Sequence, residues 1–116
     1  MLNPIWTPSD DRIKQANITK FCNGLRTNGT GDFANYDDLW DWSVSDLDSF
    51  WSEFWDFSGI IGYKGETVLN NSKHLIDADF FPEAKLNFAE NILQADTAGT
   101  AIIFHTEAGA RSEWSW

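Results

Sequence analysis

The most regular pattern in the chain lies just before its middle. Leu47, Phe50, Trp51, Phe54, Trp55 and Phe57 recur at spacings of three and four. At about 100° per residue they fall within an arc of roughly 160°, with Asp46, Asp48, Ser49, Ser52, Glu53 and Asp56 on the other side. The pattern predicts a two-faced helix from about Asp46 to Phe57. Ser45 followed by Asp48 supplies a capping start, and Gly59 the stop. Burying the apolar face would contribute on the order of 10 kcal/mol at ~1.5–3 per large side chain, as an upper bound. A face this wide and aromatic calls for a large partner surface.

Ahead of it, residues 7–27 read as one helix. Thr7 is the cap, Pro8 the first helical position, and Ser9, Asp10 and Asp11 favour the positive end of the dipole. Ile13, Ala16, Asn17, Phe21 and Leu25 approximate one face. Gly24 weakens the last turn by ~1 kcal/mol, and Asn28-Gly29-Thr30-Gly31 breaks the chain. Tyr36 to Trp40 reads as a short helical turn. Gly62 and Gly65 flank turns, Thr67–Leu69 reads as a short strand, and Asn70–Ser72 as loop. Asn87 with Glu90 repeats the capping pattern and starts a helix to about Gln94. Ala101–His105 and Ser112–Trp116 frame a hairpin around Glu107–Ala110. A hairpin alone is marginal, so this one, ending on Trp114 and Trp116, reads as an interrupted fold.

These elements define a mostly α chain with a small β-hairpin, of the α+β class. Its 116 residues, 13.2 kDa, fit one domain and leave little room for a second. The aromatic content is high, with seven Trp, nine Phe and two Tyr, and five of the Trp precede residue 56. Charge is uneven as well. From Thr27 to Tyr63 there are eight acids and no Lys or Arg, which supplies most of the net charge of -10. Such acidity repels phosphate backbones and anionic lipid, so neither nucleic acid nor a membrane surface is an expected partner. No apolar run approaches a membrane span, and the N-terminus has no apolar signal core. With one cysteine, Cys22, no internal disulfide or cysteine-rich zinc site is expected. The cytoplasm is the expected compartment, and the sequons at Asn17, Asn28 and Asn70 read as chance.

Catalytic patterns are missing from the sequence. No glycine-rich phosphate loop and no Gly-x-Ser-x-Gly elbow occur. His74, Asp77 and Asp79 form the one His–acid cluster and read as a solvated loop, not a metal site. Cys22, beside Phe21 in a helical pattern, reads as a small packed thiol, not a partner of His74 or His105. The carboxylates fall on polar faces, which suits solvation better than paired acid–base work. No catalytic, cofactor-binding or metal-binding residue is therefore assigned.

Three stretches together carry a resemblance. The first is Trp6-Thr7-Pro8 with Arg12-Ile13 and Asn17-Ile18-Thr19. The second runs from Tyr36-Asp37-Asp38-Leu39-Trp40-Asp41-Trp42-Ser43-Val44 through Phe50-Trp51 and Phe54-Trp55-Asp56-Phe57. The third is Phe81-Pro82 with Leu86-Asn87-Phe88-Ala89-Glu90-Asn91-Ile92-Leu93. In this order they resemble the N-terminal region of the acetoacetyl-CoA synthetase branch of the AMP-forming acyl-CoA synthetases. Phe80 stands where a Trp is expected, and Glu83 where a Gly is.

The resemblance implies a parent ligase that uses ATP, magnesium and CoA to make acetoacetyl-CoA through an acetoacetyl-adenylate. None of those ligands is expected on this segment, because the family's phosphate-binding loop, adenylate motifs, CoA-binding arginines and catalytic Lys have no counterpart here. It implies residues 1–96 as an N-terminal helical cap of acetyl-CoA-synthetase type. Residues 97–116 would be the first hairpin of an incomplete adenylate-forming domain. The segment's expected partner is the rest of the ligase. Its docking residues would be Leu47, Phe50, Trp51, Phe54 and Trp55, with Phe81, Leu86 and Phe88. The alternative is a stand-alone, acidic, aromatic-rich protein-binding module without catalysis.

Overall fold

A computed structural model describes residues 5–70, 73–94 and 98–116. The chain divides into two compact units, Met1–Lys85 and Leu86–Trp116. The expected boundary at 96/97 and part of the expected loop, Asn71 and Ser72, lie outside the described residues.

In the first unit, the single helix expected over 7–27 is two helices, α1 (Asp10–Gln15) and α2 (Asn17–Asn28). The break is Ala16, whose backbone is extended at φ -62° and ψ 141°. Its N–H donates to the Ile13 carbonyl at 3.2 Å, and the Thr19 hydroxyl donates to the same oxygen at 2.6 Å. Asn, Ile and Thr in succession hold a helix weakly and offer such competing bonds. The cap of α1 is Ser9, not Thr7, since Ser9 Oγ accepts the Arg12 N–H. α2 ends at Gly29, as the Asn-Gly signal requires.

The turn expected at Tyr36–Trp40 is a full helix, α3 (Tyr36–Ser45). Asn35 Oδ1 accepts the Asp38 N–H at 3.0 Å, and Asp37 and Asp38 sit at the positive end of the dipole. Asp46 alone joins α3 to α4 (Leu47–Ser58), closing one helix and capping the next. Its Oδ1 accepts the Ser49 N–H at 3.2 Å. The expected capping residue, Ser45, instead donates its hydroxyl back to the Trp42 carbonyl. A carboxylate one position later is the better acceptor at a helix start. Gly59 closes α4 in the left-handed conformation.

The core of this unit is small. Phe21 and Leu25 of α2 and Leu39 of α3 are buried together, with Cys22, Phe33, Trp42 and Phe50 packed around them. Beyond α4 come strands of two residues, β1 (Gly62–Tyr63), β2 (Leu69–Asn70), β3 (Asp79–Phe80) and β4 (Lys85–Leu86). β2 pairs antiparallel with β3, Leu69 opposite Phe80 and Asn70 opposite Asp79. The strand expected at Thr67–Leu69 thus starts later. Thr67 is held by Glu83, and the Val68 carbonyl accepts the Phe81 N–H at 2.8 Å.

The second unit holds a short α5 (Phe88–Ile92) and an antiparallel hairpin, β5 (Thr100–His105) and β6 (Arg111–Ser115). Asn87 caps α5 as expected, its Oδ1 accepting the Glu90 N–H at 3.2 Å. The helix ends two residues before Gln94, with Leu93 as its closing residue. In the hairpin, Ile102 faces Trp114, Ile103 faces Glu113 and His105 faces Arg111. The turn closes through Thr106, whose hydroxyl accepts the Ala110 N–H at 3.0 Å.

Candidate functional site

The wide aromatic face of α4 is split by its own unit into two stripes. Phe50, Phe54 and Phe57 turn to α2, where Phe21 meets them at centroid distances of 6.1, 6.0 and 5.1 Å. The first two contacts are edge-to-face, the geometry that sets a positive ring edge against a negative ring face. Trp42 adds a further edge contact to Phe50 and stacks near Phe33. The other stripe, Trp51 and Trp55, turns to the β3 strand and the residue after it. Trp51 meets Phe80 at 5.1 Å, and Trp55 meets Phe81 at 4.8 Å. Much of the partner that the sequence demanded is therefore supplied within the first 85 residues.

The eight residues expected to dock are placed unequally. Trp55 is buried at 8% exposure, while Leu47, Phe50, Trp51 and Phe81 are half-buried inside the first unit. Phe54 keeps 40% of its surface exposed. In the second unit, Leu86 and Phe88 are exposed, Phe88 at 74%. That unit also exposes one apolar hairpin face. The pairing sets Ile102 and Trp114 on the same side, and the two-residue period adds Phe104 and Trp116. The other side carries Ile103 beside His105, Arg111 and Glu113, with Arg111 paired to Glu113.

Two of the side-chain ties that hold the first unit's surface in place were not assigned from the sequence. One is Lys64, which donates to Asp56 at 2.8 Å and to the Ser52 hydroxyl at 3.0 Å, tying the segment after α4 back onto its polar side. The other is Glu83. Its carboxylate accepts the backbone N–H groups of Glu66 at 2.7 Å and Thr67 at 3.0 Å, and the Thr67 hydroxyl at 3.0 Å. The Thr67 N–H, then that of Glu66, then the Thr67 hydroxyl hold this carboxyl below its ordinary value of 4.5. A Cβ on Gly65 would meet Glu83 Cβ and Oε2 at 2.8 Å, so a side chain there would collide with the clamp. The only signal for Glu83 in the sequence was its place in a position where the resembling family has Gly.

Among the described residues no group of three His, Cys, Asp or Glu side chains stands close enough to hold a metal ion, so His74, Asp77 and Asp79 are not brought together as ligands. Asp77 instead bonds through its backbone to the His74 carbonyl, and Asp79 lies in β3. Cys22 is half-buried against the core. No described helix is long and apolar enough to cross a membrane.

Residues 36–92, from the start of α3 to the end of α5, match the family described as acetyl-coenzyme A synthetase N-terminus. The chain belongs to this family.

Its curated relatives are mainly acetoacetyl-CoA synthetases. That of Rhizobium meliloti (strain 1021) is 36% identical over 113 residues, covering 97% of this chain and 17% of the enzyme. That of Xenopus tropicalis is 39% identical over 92 residues, 78% of this chain and 13% of the enzyme. That of Macaca fascicularis is 45% identical over 62 residues, 52% of this chain and 9% of the enzyme. The chain thus spans less than a fifth of the length of these relatives. No solved structure matches it significantly.

Proposed function

We propose that these 116 residues serve as the N-terminal packing element of an acetoacetyl-CoA synthetase-like ligase. The observation that carries this reading is the match over 97% of the chain to an acetoacetyl-CoA synthetase of which the chain covers only 17%. The parent reaction runs in two halves. The acetoacetate carboxylate attacks the α-phosphate of ATP, giving acetoacetyl-adenylate and diphosphate. The CoA thiol then takes the acyl group and AMP leaves. The described residues offer no cluster fitted to magnesium, and the sequence has no phosphate loop. We therefore assign ATP, magnesium and CoA to parts of the ligase outside this segment.

Its own role is to cover the flank of the adenylate-forming domain. Phe54, Leu86 and Phe88 are the members of the expected docking set that remain exposed to do so. Residues 1–96 are the cap in this reading, and the hairpin within 97–116 is the first supersecondary unit of the adenylate-forming domain. The apolar side of that hairpin, with Ile102, Phe104 and Trp114 each more than half exposed, supports this. The compartment that suits the reading is the cytoplasm.

A chimera tests it. The matching N-terminal portion of the Rhizobium meliloti enzyme is replaced by this chain, and acetoacetyl-CoA formation is assayed. The expected result is an active chimera, with the isolated 116 residues inactive. An inactive chimera that is nevertheless soluble and monodisperse would reject the assignment.

A further inference from the structure

An apolar groove lies open in the first unit. It lies among α2, α3 and α4, holds about 300 Å³, and is lined by Ile18, Phe21, Tyr36, Trp40, Phe54 and Phe57 among others. Of these, Tyr36 is 64% exposed and Trp40 52%, though both belong to a helix whose neighbour Leu39 is in the core. Tyr36 and Trp40 stand four apart on α3 and make one ridge of the groove. Asp37 and Asp41 follow them, about 100° further round the same helix. Neither carboxylate has an ion pair among the described residues, where Asp32 pairs with Arg26 and Asp56 with Lys64. The whole stretch from Thr27 to Tyr63 contains no Lys or Arg that would neutralise them.

We infer that this groove seats a cationic amphipathic segment, with apolar side chains between Trp40 and Phe54 and Lys or Arg against Asp37 and Asp41. Charge selects the occupant. A second copy of this chain, at a net charge of -10, would bring two acidic α3–α4 faces together, and like charges across an interface are a strong rejection. Anionic lipid is rejected for the same reason. An uncharged apolar helix would fill the groove and leave the carboxylates without partners. The inference rests on the reading of this chain as a packing element, and it names the chemistry of the surface on which that element packs.

The test uses the full 116-residue chain and two tryptophan-free helical peptides of about 18 residues with identical Leu/Ala faces. One carries Lys on its polar face and the other Glu. Binding is followed by protein tryptophan fluorescence and mapped by amide chemical-shift changes. The Lys peptide is expected to bind one to one, at least about tenfold tighter than the Glu peptide, and to weaken as salt screens the contact. The shifts are expected to map to α3 and the C-terminal half of α4. Asp37→Asn with Asp41→Asn should lower affinity for the Lys peptide severalfold. Trp40→Ala should lower it as well, and circular dichroism should show all variants folded, because these side chains are exposed.

Equal binding of the two peptides overturns the inference, as does affinity unmoved by either variant. If the chimera is active while the peptides bind equally, the inference alone falls. If the chimera fails while the Lys peptide still maps to the groove, the groove stands and the assignment to the ligase falls.

Discussion

Trp55 and Phe81 meet with ring centroids 4.8 Å apart and planes inclined at 51°. The contact holds an unfavourable backbone. Phe81 has φ of +50°, a region that L side chains avoid, and it directly precedes Pro82, which restricts it further. Two things over-determine it. Its N–H donates to the Val68 carbonyl at 2.8 Å, and its ring is seated on a buried Trp of α4. The Phe-Phe-Pro segment is thereby turned so that Phe80 reaches Trp51 while Phe81 reaches Trp55.

Trp55→Ala is expected to lower the unfolding free energy by ~3–5 kcal/mol, the usual range for removing a large core aromatic. Urea denaturation measures this. A double-mutant cycle with Phe81→Ala should give a coupling of ~0.5–1.5 kcal/mol beyond area burial. Additive losses would show that the ring contact does not hold Phe81.

Phe21→Ala and Phe88→Ala should behave oppositely in the isolated chain. Phe21 is 7% exposed and touches three rings of α4, so its loss should cost ~3–5 kcal/mol. Phe88 is 74% exposed, and its loss should fall within ~0.5 kcal/mol. In the chimera, Phe88→Ala should destabilise by more than it does in the isolated chain, because docking would bury the ring there. Equal effects in the two settings would remove Phe88 from the docking set.

Glu83 makes stability depend on pH in a definite direction. Its folded pKa lies below the ordinary 4.5 through the bonds from Thr67 and Glu66. The unfolded chain therefore binds a proton first as pH falls. The contribution is complete above about the ordinary carboxylate value and is lost as pH drops through the lower folded value. Denaturation midpoints at successive pH values below 5 should fall for the natural chain, and fall less for Glu83→Gln. Identical pH profiles would show that other carboxylates carry the dependence.

Gly59→Ala and Gly65→Ala separate backbone strain from collision. Both positions have positive φ, +66° and +88°. At Gly59 an added Cβ meets nothing within 4 Å, so the cost should be the left-handed penalty alone, ~1–2 kcal/mol. At Gly65 the Cβ also strikes Glu83, so the loss should be greater. Glu83→Gly, which removes both the Cβ and the carboxylate that an added Gly65 side chain would meet, should bring the two losses closer, as read from thermal denaturation.

The elements whose causes are local were legible in the sequence. The α4 helix followed from apolar spacing and from Gly59, α5 from the Asn87 cap, and the hairpin from alternation around a glycine turn. The family was legible too, because Trp-Ser-Val, Phe-Trp and Asn-Phe-Ala-Glu-Asn stand in order, and a motif needs no folding to be read. Where competing local bonds were close in strength, spacing misled. Ala16 divides one apparent helix because Thr19 and the Ala16 N–H satisfy the Ile13 carbonyl outside the helix. The acidic run at Tyr36 is a full helix because Leu39 and Trp42 gain a core from α2 and α4.

Only the tertiary structure decided which side of the α4 arc each ring serves. Periodicity measures the angle between side chains on one helix and contains nothing about what lies opposite. The partners are Phe21, thirty residues before Trp51, and Phe80 and Phe81, some thirty after it. The positive φ of Phe81 and the depressed carboxyl of Glu83 belong to the same kind of fact. Each exists because residues far apart in the chain meet in space, whereas caps, turns and amphipathic faces are set by neighbours within a few positions.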